Sequence, residues 1–136
     1  MNTVTICRGL PGSGKSTIAK SLNAEHVEAD MFFMKNGKYI YDNKKINDAH
    51  KWCQSIVKFN LRQGKDITVS NTFTTLHEID TYLKIAKFHN AKVQIIECYG
   101  NYKNVHNIPQ SKINLMKDRW EKLPINLQKL CIYHKQ

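Results

Sequence analysis

No run of about 18 apolar residues occurs in the sequence, so no membrane-crossing helix and no membrane partner are expected. The first residues, Met1-Asn2-Thr3-Val4-Thr5-Ile6, carry no basic leader, and no secretory signal is read there. The four cysteines, Cys7, Cys53, Cys98 and Cys131, are far apart and form no CxxC pair. The close ligand spacing of a zinc site is therefore missing. Reduced, buried thiols with no disulfide partner are expected, in an intracellular, cytoplasmic protein. There is no internal repeat, no low-complexity segment and no Asn-Lys-x-Asp run of the kind that reads guanine. Acidic residues are scarce: 11 Asp and Glu stand against 21 Lys and Arg, for a formal net charge of +10. Arginine is scarce too, with only Arg8, Arg62 and Arg119.

What is present describes one domain over residues 1–136. The 41% hydrophobic and 24% charged shares fit a folded globular chain and exclude a disordered one. Positive charge gathers in the last quarter, where seven basic residues face Asp118 and Glu121. Such a surplus favours polyanionic partners. A Lys-rich composition with solvated side chains gives the same count.

Residues 2–8 are short, β-branched and stopped by Gly9, which predicts a strand. Ile18, Ala19 and Leu22 recur at helical spacing from Lys15 to about Asn23. His26–Ala29 reads as a short strand, and Asn36-Gly37 as a hairpin turn between Phe32-Phe33-Met34 and Tyr39-Ile40-Tyr41. Helices are predicted over 44–63, from Thr75 to about His89, and from about Pro109 to Lys122; strands over Asp66–Asn71 and Lys92–Tyr99. Residues after Pro124 are left unassigned. About four strands alternating with helices predict an α/β three-layer sandwich around a parallel sheet.

The strongest pattern is Gly9-Leu10-Pro11-Gly12-Ser13-Gly14-Lys15-Ser16-Thr17, which satisfies G-x-x-x-x-G-K-[ST] between a predicted strand and a predicted helix. The glycines let successive amide N–H groups converge on one hollow. The helix start adds its positive end. Lys15 supplies a point charge for the β- and γ-phosphates, and the Ser16 hydroxyl is a candidate Mg²⁺ ligand. Gly9, Pro11, Gly12, Ser13, Gly14, Lys15, Ser16 and Thr17 are thus expected to hold ATP or another nucleoside triphosphate. ATPases, GTPases and kinases share such a loop. A chain of 136 residues has no room for the added subdomains of motor ATPases. A small kinase needs only positioning, charge neutralisation and a base.

Asp30 follows the second strand, where the ends of parallel strands face a ligand crevice. It is either a base for an acceptor hydroxyl or a turn cap. Asn71 and Thr72, past the third strand, offer neutral groups to a phosphate or a metal-bound water, or merely cap the next helix. No carboxylate ends that third strand. His50 and Trp52 read as helix packing. Tyr39 and Tyr41, beside Lys35 and Lys38, read either as a platform for a single strand or as a cover for the sheet.

In order along the chain stand Arg8–Thr17, Ala29-Asp30-Met31-Phe32-Phe33-Met34, Ala49-His50-Lys51-Trp52, Asn71-Thr72-Phe73-Thr74, His106-Asn107-Ile108-Pro109 and Met116–Glu121. Over about residues 2–124 this set resembles the P-loop 5′-hydroxyl polynucleotide kinase family. The resemblance implies a kinase-like fold and phosphoryl transfer from ATP, with Mg²⁺, to a nucleic-acid 5′ end. It implies Asp30 as general base, Asn71 and Thr72 at the acceptor and metal, and a lid over about 100–110 whose Lys103 reaches the donor phosphates. It also exposes departures. Phe33 stands where the phage enzyme has an acceptor-gripping arginine, Asn71 replaces an aspartate, and Lys103 replaces a lid arginine. Arg119 compensates if its helix folds over the site; otherwise it pairs with Asp118 or Glu121. The alternatives are a nucleoside or small-metabolite kinase, and a nucleotide-binding RNA-binding or interaction module with degenerate chemistry.

Overall fold

A computed structural model describes residues 2–102 and 107–134. The first strand, β1 (Thr3–Arg8), leads into α1 (Lys15–Ser21) and β2 (Glu25–Val27). A 3₁₀ segment, Ala29–Phe33, runs into a small hairpin of β3 (Met34–Lys35) and β4 (Lys38–Tyr39). Then come α2 (Ile46–Arg62), β5 (Ile67–Asn71), α3 (Leu76–Phe88), β6 (Lys92–Cys98), α4 (Gln110–Arg119), α5 (Ile125–Gln128) and β7 (Cys131–His134).

The main sheet is wholly parallel, in the order β2-β5-β1-β6-β7. β1 lies at its centre, with Ile6 level with Val69 on one side and Ile95 on the other. Val4 and Ile6 pack with the apolar stripes of α2 and α3. On the opposite face Cys7, Ile96 and Cys98 pack with Ala19 of α1. Both faces are covered, so the central positions are buried throughout, the small polar Thr5, Thr68 and Ser70 included. Each fully buried Val or Ile contributes about 1.5–3 kcal/mol over leaving it exposed. Cys7, Cys53 and Cys98 lie buried in these layers, as their segments predict, and Cys131 is half-buried.

Local chemistry sets the element ends. α3 opens with a complete capping box between Thr75 and Glu78. Asn36 and Gly37 have φ of 51° and 79°, the left-handed pair of a type I′ turn, so the hairpin closes where sequence places it. The stretch after Pro124 supplies a fifth strand, β7, which adds to the edge of β6. Its pairing is long-range, so no local pattern announces it. Among the described residues no helix is long and apolar enough to cross a membrane.

Candidate functional site

The loop after β1 turns on two glycines with left-handed backbones, Gly12 (φ 83°) and Gly14 (φ 90°), the second of which is the N-cap of α1. Gly9 is held by a close approach instead. A Cβ there would stand 2.2 Å from Ser13 Oγ and 3.0 Å from the Cys98 carbonyl. The segment after β6 pins the loop from the other side. Gly100 N donates to Ser13 O (3.0 Å) and Tyr102 N to Gly12 O (2.7 Å).

Lys15 and Ser16 open α1, and Ser16 meets a carboxylate that sequence reasoning passed over. Ser16 Oγ donates to Glu28 Oε1. Ser70 Oγ lies 3.5 Å from the same oxygen, and His26 Nε2 3.3 Å from it. Burial pushes the Glu28 carboxyl up, but the approach of His26, the hydrogen bond from Ser16 and the Lys15 charge outweigh it and hold the carboxyl below its ordinary value. Burial lowers the Lys15 ammonium, while the carboxylates of Glu28 and Asp30 act to restore it. Both carboxylates therefore act electrostatically on Lys15. The signal was available: Glu28 and Asp30 are two apart at the end of one short strand. The carboxylate missing from the end of β5 is supplied from neighbouring β2.

Asp30 sits in the 3₁₀ segment, where its Oδ1 accepts from the Tyr39 hydroxyl at 3.2 Å. Asn71 supports this segment from beneath. Its Oδ1 accepts from Ala29 N at 2.9 Å, and its Nδ2 points to Cys53 Sγ at 3.8 Å. Thr72 follows, half-buried, at the same sheet end. Arg119 lies at the end of α4, and its Nε donates to Thr74 Oγ1 at 3.0 Å. That contact replaces the pairing with Asp118 or Glu121 that its helix position predicts. Glu121 is engaged elsewhere, its Oε1 accepting from Leu76 N at 2.7 Å. Lys103, with residues 104–106 of the lid expected over 100–110, lies outside the described residues.

Arg8 is a second residue whose part the motif reading did not assign. It is fully buried just before the loop and bonds Glu97 (2.6 Å), the Phe73 carbonyl and the Glu121 carbonyl (3.0 Å). Its guanidinium also lies 3.8 Å from the centre of the Trp120 ring. A cavity of about 640 Å³ opens beside the loop on the β6 side, lined in part by Pro11, Ser13, Tyr99, Tyr102 and Trp120. Sheet order puts Asp30 on the other side of the loop, past β2.

A phosphate-loop geometry at the centre of a five-stranded parallel sheet narrows the family, and the family model described as AAA domain matches residues 4–100. The chain belongs to this family. Within this AAA-domain family its fold is P-loop kinase-like. It is 28% identical over 134 residues to human NEDD4-binding protein 2, covering 88% of this chain and 8% of that protein. It is 33% identical over 99 residues to an Autographa californica nuclear polyhedrosis virus protein whose name reads bifunctional polynucleotide kinase/RNA ligase. That match covers 60% of this chain and 14% of the viral protein. The chain thus spans a small part of each of these relatives. Among solved structures it resembles the Mycobacterium tuberculosis APS kinase CysC in complex with AMPPNP and APS. The TM-score is 0.55 at 15% identity, covering 94% of this chain and 71% of that one. The AAA-domain match ends near Gly100, so α4, α5 and β7 lie beyond it.

Proposed function

We propose that this domain transfers the γ-phosphoryl group of ATP, or of another nucleoside triphosphate, to the 5′-hydroxyl end of an RNA or DNA strand. The observation that carries this reading is the glycine turn that leads β1 into α1, with Ser16 of that helix hydrogen-bonded to Glu28, and with Asp30 two residues beyond Glu28. The triphosphate lies against the amides of residues 9–17, with Lys15 neutralising its β- and γ-groups. Burial in the free protein works against the Lys15 ammonium, so an anionic tail stabilises a charge the fold has made costly. The donor's nucleoside enters the cavity between Pro11, Tyr102 and Trp120.

The Ser16 hydroxyl and the Glu28 carboxylate present hard oxygens side by side, which fits Mg²⁺. Bound there, Mg²⁺ would neutralise developing charge on the phosphates. Asp30 accepts the proton of the attacking hydroxyl, and Tyr39 orients its carboxylate. Asn71 holds the Ala29 amide and so fixes the segment that carries the base. Thr72 and Arg119 stand near the acceptor, and Lys103 reaches the donor phosphates from the lid. Support for a nucleic-acid acceptor comes from the +10 net charge and from the viral relative's name.

The test is label transfer from γ-labelled ATP to an oligonucleotide with a free 5′-hydroxyl. Labelled product supports the reading; ATP binding without transfer to any strand rejects it. One observation favours a second reading, a nucleotide-binding interaction module without turnover. Phe33 is 1% exposed, so the residue standing where the phage enzyme has an acceptor-gripping arginine belongs to the core. Oligonucleotide affinity with no phosphorylated product would select that reading. Transfer to a free nucleoside or small metabolite alone would select a metabolite kinase.

A further inference from the structure

The hairpin beyond Asp30 lies outside the phosphate loop, and its surface is aromatic and basic. Phe33 is buried and serves as its floor. Tyr41 packs on that floor at 5.1 Å between ring centres, and Tyr39 meets it edge-on at 6.3 Å. The two tyrosine rings lie within 20° of parallel, 6.5 Å apart. Both stay open to solvent, Tyr39 at 37% and Tyr41 at 45%, with Met34 and Ile40 exposed alongside. Lys35, Lys38, Lys44 and Lys45 are exposed around them. The carboxylate in this stretch, Asp42, is engaged by the Lys44 backbone amide at 3.0 Å.

A cover for the sheet would hide these rings, and here they are presented. Every nucleobase has a flat face to lay on an aromatic ring, and every linkage has an anion for a lysine. The platform also starts at the proposed base, because the Tyr39 hydroxyl donates to Asp30. Burial, and then the Asp30 charge, raise the Tyr39 phenol well above its ordinary value and keep that donor protonated.

We infer that Tyr39 and Tyr41 form a stacking platform for the terminal bases of a single-stranded nucleic acid, with Lys35, Lys38, Lys44 and Lys45 following its phosphates. This deepens the proposed function and rests on it for the identity of the acceptor. A platform at this place gives recognition without base identity and lets the strand's end reach Asp30.

The experiment measures fluorescence anisotropy of a 3′-fluorescein strand with a free 5′-hydroxyl, and of the same strand whose terminal 5′ nucleotides lack bases. Tyr41→Leu is expected to weaken binding of the intact strand about tenfold, and Tyr41→Trp to keep it. The abasic-ended strand should bind the unaltered protein weakly and be indifferent to Tyr41→Leu. Equal affinity for the two strands, or no loss in a Tyr41→Leu protein that still binds ATP, overturns the platform. So does failure of the unaltered protein to bind either strand, which would assign the face to another kind of partner. Should Tyr41→Leu fail to fold, the comparison of strands on the unaltered protein decides alone. Label transfer is run in parallel. Transfer with no base dependence sinks the platform and keeps the kinase; base-dependent binding with no transfer does the reverse.

Discussion

Arg8 donates from Nε and Nη2 to the carbonyl of Phe73, at 3.0 and 2.7 Å, and Phe73 holds a left-handed backbone with φ of 49°. A bulky residue rarely adopts that conformation, and keeping it costs about 1–3 kcal/mol. The arginine before the phosphate loop therefore holds the strained turn after β5. Its other bonds reach Glu97 at the end of β6 and Glu121 past α4. Three strand ends and the segment past α4 meet on one guanidinium.

Breaking this hub from the acidic side should be severe. Glu97→Ala leaves the Arg8 charge buried without its carboxylate, which costs about 3–5 kcal/mol. Urea unfolding should show the midpoint fall at an unchanged slope. Arg8→Lys should not rescue, because one ammonium cannot reproduce donors to Phe73, Glu97 and Glu121 together. A loss under 1 kcal/mol would contradict the assignment.

Lys15→Ala should abolish ATP binding measured by calorimetry, with the far-ultraviolet dichroism unchanged. The side chain is proposed to meet the phosphates and is costly to keep charged in the free protein. Its truncation should leave the fold as stable as before, or more so. Unchanged affinity would remove the phosphate loop from the proposed site.

Asp30→Asn should cut phosphoryl transfer by about 10²–10⁴-fold, the usual range for loss of a general base. ATP affinity should be retained. Tyr39→Phe should act more mildly, because it removes only the hydroxyl that meets the Asp30 carboxylate. Equal transfer by Asp30→Asn and the unaltered protein would exclude Asp30 as the base.

Glu28 gives the protein an acid-side sensitivity. Its folded carboxyl titrates below its ordinary value of 4.5, so it binds fewer protons folded than unfolded. Its contribution is complete above about pH 4.5 and is lost as pH falls through the folded value. Thermal midpoints taken downward from pH 5.5 should drop more steeply for the unaltered protein than for Glu28→Gln. Parallel curves would show that Glu28 does not carry the linkage. The same variant should weaken the Mg²⁺ dependence of nucleotide binding, because only Ser16 of the proposed pair remains.

The sequence by itself determined the phosphate loop, because a strand, a run of spaced glycines and a lysine opening a helix are consecutive in the chain. It also determined the hairpin at Asn36-Gly37, whose left-handed turn is a local demand. The layered order followed from alternating periods, and the place of Asp30 just past the second strand was legible too. Tertiary structure alone decided the rest, because it joins residues distant in the chain. Glu28 acquires its meaning only where α1 brings Ser16 against the end of β2. Arg8 looked like the last residue of a strand until three other segments converged on it. β7 exists because the edge of β6 offers unpaired backbone groups, which Cys131–His134, more than thirty residues further along the chain, reach only in the folded domain.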